Sequence, residues 1–275
     1  TVTAEGLTCL VQAGFNRISL GAQSMDDGEL IQVGRPTSTD AVRKAVTEAR
    51  AAGFASINLD LIYGLPGQTI ESWLTTLDEA LALEPTHLSC YALTVEEKTR
   101  LSLDLKRGDR PEPDVLLQNA MEDEAVSRLT AEGFLRYEIS NYCRPGYACK
   151  HNLLYWEGAE YLGLGPSAQS YFSGARFGNV EDLTAYQQKL KAGQLPILER
   201  ELLTKEQQRR EALVFGLRLT EGVDVRLVKA TEVGRDSEQT VSRLTRQGFL
   251  EEQSGRVKLT DLGLRYADSV AGELL

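Results

Sequence analysis

The sequence predicts an α/β protein: a parallel sheet with crossover helices, then an α+β extension, then a winged-helix-like tail. Three observations carry that expectation. Apolar, strand-like runs at 17–23, 56–63 and 87–93 alternate with stretches of helical periodicity. The alternation stops at Pro111 and Pro113, beyond which a helix, a strand, a loop of unusual residues and a Gly-rich stretch follow. From Lys205 onward three helical patterns lead into a short hairpin, the outline of a winged helix. The divisions fall at 1–110, 111–195 and 196–275.

Each element has a local reason. Thr3 stands three residues before Gly6 and ahead of Leu7, Leu10 and Val11, as a helix cap does. Arg17 to Gln23 is strand-like and follows the turn at Gly14. Asp40 caps the next helix, whose apolar positions Ala41, Val42, Ala45, Val46 and Ala49 run until Gly53 stops it. Ser56 to Tyr63 is a nearly continuous apolar strand ending at Gly64. A helix from Thr69 to Leu83 buries Trp73, Leu74, Leu77, Ala80 and Leu81, and His87 to Leu93 is the third strand. Strands in this order form a parallel sheet with right-handed crossovers, expected to be covered on both faces. Three strands close no barrel, and no further strand–helix units follow. The missing partners are expected upstream of Thr1, which is not an initiator Met. Left to itself, such a sheet is expected to expose an apolar face.

Downstream, Asp114 to Glu132 reads as a helix, Leu135 to Asn141 as a strand, and Tyr142 to Trp156 as a loop before the Gly163 to Ala168 stretch. The tail reads as helices at Lys205–Leu217, Val225–Ala230 and Glu238–Gln247. A hairpin follows with Val257 to Thr260 as its second strand, and Leu262 to Ala267 leads into a last helix.

Composition narrows the function classes. The 275 residues are 42% hydrophobic and 25% charged, which excludes disordered, collagenous and disulfide-built chains. Thirty Lys+Arg against forty Asp+Glu leave a net charge of -10, against a nucleic-acid binder. Arg243 and Arg246 sit where a winged helix reads DNA, but residues 201–275 hold 12 Lys+Arg and 13 Asp+Glu, so a protein-contact or lid role is expected. No apolar run approaches the ~20 residues of a membrane span and no signal segment opens the sequence, so a soluble, intracellular protein is expected. Cys9, Cys90, Cys143 and Cys149 make neither a disulfide framework nor a C-x2-C knuckle.

A few residues stand out chemically. Strand alternation puts Asn58, Asp60 and Ile62 on one face and Ile57, Leu59 and Leu61 on the other. A carboxylate inside a sheet needs a partner or a ligand, so Asp60 is either a ligand contact near the carboxyl end of its strand or a structural salt bridge. Gln23, at the corresponding end of the preceding strand, and Arg35 after it suit an adenosine and a carboxylate. Tyr63-Gly64-Leu65-Pro66-Gly67-Gln68-Thr69 lacks the lysine of a phosphate cradle and reads as a tight strand-to-helix turn. His151 lies among Cys143, Cys149, Tyr155 and Trp156, a set that suits haem iron and a flat macrocycle, with a packed structural histidine as the alternative. His87 reads as structural.

Asn16 to Ser24, Asn58 to Thr69 and His151-Asn152-Leu153-Leu154-Tyr155-Trp156 together resemble the HemW-type radical S-adenosylmethionine haem chaperones, relatives of the oxygen-independent coproporphyrinogen III dehydrogenase. The resemblance runs through the whole chain in order, and the HNxxYW motif points to the chaperone branch. It implies the C-terminal half of a partial (β/α)6 barrel, followed by the extension and the winged-helix-like domain. It implies S-adenosylmethionine contacts at Gln23, Arg35, Asp60 and Ala92. Haem contacts are implied at His151, Asn152, Tyr155 and Trp156, with His151 as the iron ligand. It further implies a cytoplasmic protein that passes haem to haem-dependent client proteins, respiratory ones among them. Membrane association would come only through those clients, and dimerisation would be linked to a 4Fe-4S cluster. The family's C-x3-C-x2-C cysteines are not in this sequence and are expected upstream, so the chain as written is expected neither to hold the cluster nor to cleave S-adenosylmethionine. The alternatives are oxidative decarboxylation of a porphyrinogen and a partner-binding module.

Overall fold

The first helix starts where its cap does: Thr3 accepts a hydrogen bond from the Gly6 amide and α1 runs Ala4–Gln12. In this computed structural model, which describes residues 3–108, 110–229 and 234–275, the chain divides into two compact units, 1–148 and 149–275. The extension expected at 111–195 is shared between them.

In the first unit β1 (Arg17–Gln23), α2 (Asp27–Gln32), α3 (Thr39–Ala52), β2 (Ser56–Tyr63), α4 (Ile70–Ala82) and β3 (His87–Ala92) follow α1. Next come α5 (Arg100–Lys106), α6 (Val115–Ala131), β4 (Leu135–Arg136) and β5 (Asn141–Cys143). Short polar caps and glycines set the boundaries. Ser38 caps α3 and Gly53 ends it at φ 101°, while Thr69 and Ser72 form a reciprocal capping box on α4. The sheet order is β1-β2-β3-β5-β4, with the first three strands parallel and in the register Leu20↔Leu59↔Leu88.

One face of this sheet holds the core. Leu20, Leu59, Leu61 and Leu88 pack with Val46 of α3, Trp73 and Leu77 of α4, and Met121 and Leu129 of α6, all buried. The other face is polar, carrying Ser19, Asn58, Asp60, His87 and Ser89 in one hydrogen-bonded set. The expectation of an exposed apolar face is therefore corrected: alternation along β2 and β3 delivers hydroxyl, amide and imidazole groups to that side. The strand expected at Leu135–Asn141 is also corrected, to the two short strands β4 and β5. Glu138 breaks it by accepting from the Ser140 amide at 3.0 Å, which turns the chain between the two.

The second unit opens with α7 (Lys150–Trp156), so the motif expected on a loop lies on a helix. Then come β6 (Gln169–Phe172), β7 (Ala175–Asn179), α8 (Leu183–Lys191) and β8 (Ile197–Leu202); the three strands form an antiparallel sheet the sequence reading did not include. The tail follows as α9 (Lys205–Gly216), β9 (Val223–Asp224), α10 (Val225–Lys229), α11 (Gly234–Arg246), β10 (Leu250–Gln253) and β11 (Arg256–Leu259), closed by α12 (Asp261–Arg265) and α13 (Ala267–Leu274). Ala230, expected to end a helix, lies outside the described residues. Leu213, Val241, Leu244, Leu250, Val257 and Leu274 form a separate core under the β10-β11-β9 sheet, the expected helices-plus-wing arrangement. Among the described residues no helix is long and apolar enough to cross a membrane.

Candidate functional site

Two sites emerge, one in each unit. The first lies at the carboxyl ends of the parallel strands. Gln23 closes β1 in the left-handed region, φ 61°, with its side chain buried. Its side chain folds over Gly21, where a Cβ would lie 2.6 Å from the Gln23 side-chain nitrogen, so the glycine leaves room for that amide. The register shifts here, setting Gln23 opposite Leu61, the neighbour of Asp60.

Asp60 is held by neutral donors. Its Oδ2 accepts from Ser19 Oγ at 2.7 Å and its Oδ1 from Asn58 Nδ2 at 2.8 Å. Among the described residues no Lys, Arg or His nitrogen lies within 4.0 Å of it, so the salt-bridge alternative does not hold. A carboxylate has about four acceptor positions, so capacity remains for a ligand's hydroxyl or amine.

Since Asn58 gives its amide hydrogens to Asp60 and its neighbours, its Oδ1 accepts from His87 Nδ1 at 2.6 Å. The Tyr137 hydroxyl then donates to His87 Nε2 at 3.0 Å. Burial, aided by the charge of Arg17, pushes the imidazole pKa down to about 3, so this histidine is neutral and structural, as expected. Ala92, at the end of β3, is exposed and pairs in register with Tyr63. Arg35 belongs to the exposed segment after α2. Among the described residues its side chain makes no hydrogen bond or ion pair with the other three. The structure thus gathers Gln23, Asp60 and Ala92 on neighbouring strand ends, while Arg35 follows in a loop.

Sequence reasoning missed the buried Glu29 beneath that loop. Its carboxylate accepts from Ser24 Oγ at 2.5 Å, Ser72 Oγ at 2.7 Å and Gln68 Nε2 at 2.9 Å. Gln68 Oε1 in turn accepts from the Gly64 and Leu65 amides at 2.7 and 3.2 Å. The Tyr63 to Thr69 motif is a tight turn, and its glutamine ties that turn to the segment leaving β1. The spacing of Asp26, which caps α2, and Glu29 three residues on was the available signal.

The second site is built on α7. His151 and Tyr155 are four residues apart and so share a face. His151 Nε2 lies 2.9 Å from the Tyr155 hydroxyl, with the rings edge to face at 4.8 Å. Tyr155 meets Tyr161 edge to face at 4.6 Å, Trp156 lies 6.4 Å from Phe215, and the Arg218 guanidinium sits 4.6 Å over the indole. Tyr155 and Trp156 contribute to a cavity of about 450 Å3 walled also by Tyr161, Tyr171 and Phe215. That volume lies within the roughly 300–1,000 Å3 of small-molecule sites. The Trp156 indole N–H is buried without an acceptor among the described residues, which suits a ligand bearing one. His151 is exposed and reaches this cavity only through Tyr155, and Asn152 is partly buried on the same helix. Arg176 and Glu211, an ion pair on β7 and α9, also line it and were missed, because they lie far from the motif in sequence.

No thiolate cluster accompanies either site. None of the four cysteines is in a disulfide, and burial pushes the Cys90 thiol up to about 12. Among the described residues no three His, Cys, Asp or Glu side chains converge on a metal position, so these residues do not fit a 4Fe-4S cluster.

Comparison with known proteins agrees with both units. The radical SAM superfamily model matches residues 2–80 and the HemN C-terminal domain model residues 203–266. "Heme chaperone HemW" of Mycobacterium tuberculosis is 36% identical over 96% of this chain and 66% of its own length. That of Bacillus subtilis is 33% identical over 100% of this chain and 73% of its own length. The chain therefore spans about two thirds of the length of these relatives. The solved structure of coproporphyrinogen III oxidase (HemN) from Escherichia coli, 23% identical, superposes with a TM-score of 0.79 over 99% of this chain and 67% of that one, which shows a common fold.

Proposed function

Because the chain belongs to the HemW family of radical S-adenosylmethionine proteins, we propose that it serves in haem delivery, binding haem beside α7 and passing it to haem-dependent client proteins in the cytoplasm. The observation that carries this reading is the aromatic cavity of about 450 Å3 whose wall includes Tyr155 and Trp156 of the HNxxYW motif. Tyr155 packed on Tyr161 and Trp156 packed by Phe215 offer a flat macrocycle apolar walls. His151 supplies an exposed imidazole for iron; ligation through Nε2 would take the place of its contact with the Tyr155 hydroxyl.

An anaerobic haemin titration followed in the Soret band tests this. A saturable one-to-one shift is expected, lost in His151→Ala. Equal, unsaturable uptake by both proteins would overturn the reading and put the porphyrinogen-oxidising or partner-binding alternatives ahead.

S-adenosylmethionine belongs to the first site in the same proposal. Gln23 and Asp60 would hold it through hydrogen bonds and Arg35 through its carboxylate, with Ala92 alongside. When bound, the group supplies an activated sulfonium. Asp60→Ala in a full-length protein is expected to weaken its binding by about 1.5–3 kcal/mol, the scale of a hydrogen bond to a charged group. Calorimetry giving an unchanged affinity would leave Asp60 a purely structural residue. A homodimer and client complexes complete the proposal, and size-exclusion chromatography with light scattering reads the first of these directly.

A further inference from the structure

The aromatic cavity carries an ion pair that neither the motif nor the family comparison assigns. Its lining joins the aromatic rings of α7 to Glu157 at the end of that helix, and Arg176 of β7 and Glu211 of α9 meet in it as an ion pair. Arg176 is the one cation among the described residues that line the cavity, in a protein whose net charge is -10. Its guanidinium also lies 6.0 Å from the Phe215 ring centre, which holds the side chain along the cavity wall. Glu211 is the more buried partner, its side chain 19% exposed against 38% for Arg176. Burial raises its pKa more than Arg176 lowers it, so the carboxylate is held at some cost.

We propose that Arg176 is the anchor for a ligand carboxylate, and that Glu211 occupies that anchor until an acidic ligand displaces it. This deepens the haem-binding reading and rests on it: the ligand class is a flat macrocycle bearing free carboxylate arms. The chemistry is bidentate pairing of a planar guanidinium with a carboxylate. A ligand arm can take the place of Glu211 because both present the same two oxygens. An esterified arm cannot pair in this way, so the site discriminates free acid from ester.

The test uses zinc mesoporphyrin and its dimethyl ester, titrated into the whole chain and followed by porphyrin fluorescence anisotropy. Wild type is expected to bind the diacid about tenfold more tightly than the diester, the scale of one charge-assisted pair. Arg176→Met should abolish that preference while leaving the diester affinity within twofold. Glu211→Gln should move the other way, tightening the diacid several-fold with no change for the diester. Circular dichroism melts of both variants establish that they are folded. Saturable binding with the preference intact in Arg176→Met, or a weaker or unchanged diacid affinity in Glu211→Gln, would overturn the anchor alone. No saturable binding of either porphyrin by wild type would overturn the haem-binding reading, and the anchor with it.

Discussion

Glu29→Ala should destabilise the first unit by about 3–4 kcal/mol, since three donors lose a charged, buried acceptor at once. Ser24 comes from the segment leaving β1, and Gln68 and Ser72 from the turn into α4, so the carboxylate joins two segments that are distant in sequence. The loss would propagate: Gln68 also fixes the Gly64 and Leu65 amides, and Ser24 directly follows Gln23. Native-state hydrogen exchange at the β1, β2 and β3 amides reads the effect in the unit where it arises. Glu29→Gln keeps one acceptor oxygen and should lose about half as much. A change below about 1 kcal/mol in Glu29→Ala, the size of an ordinary neutral hydrogen bond, would show that water takes over the acceptor role.

Acid should weaken the same unit through His87. The imidazole has its pKa near 3 in the folded chain against an ordinary value of 6.5, first because it is buried and second because Arg17 is close. Above pH 6.5 both folded and unfolded chains keep it neutral, and it contributes no pH dependence. Between about 6.5 and 3 the unfolded chain takes up a proton that the folded chain refuses, so stability falls as pH falls. By pH 4.5 that amounts to about 3 kcal/mol, at ~1.4 kcal/mol per pH unit below the unfolded value. Comparing wild type with His87→Gln at pH 7.5 and pH 4.5 isolates this from the carboxylates. Wild type should lose about 3 kcal/mol more than the variant; parallel losses would mean that His87 protonates freely in place.

The parallel strands were legible because apolar residues recur along each of them and Gly14, Gly53 and Gly64 bound them. The same alternation placed Asn58 and Asp60 on one face. It did not show what shares that face: Ser19, His87 and Tyr137 arrive from other strands and a turn, and only the register brings them together. The β6-β7-β8 sheet was illegible for a different reason. Ile197–Leu202 is almost wholly exposed, so no core demanded an apolar period there. On α7, Cys149 offers no side-chain cap, and a helix start without its polar signal reads as loop. In the candidate sites, the residues within each motif were visible and their distant partners were not. Glu29, Arg176 and Glu211 are single polar residues outside the motifs, and their partners, distant in sequence, give them their meaning.

The fold of Gln23 over Gly21 has an evolutionary consequence. Position 21 can acquire a side chain only if position 23 gives up its present rotamer, because the new Cβ would stand 2.6 Å from the glutamine's nitrogen. The two sites are thus coupled in substitution. Among homologous chains, a residue larger than glycine at 21 should be found with a side chain at 23 that is shorter or turned aside. An exchange at 21 made alone would swing the glutamine's amide away from its place, and an answering exchange at 23 would make the contact visible as covariation.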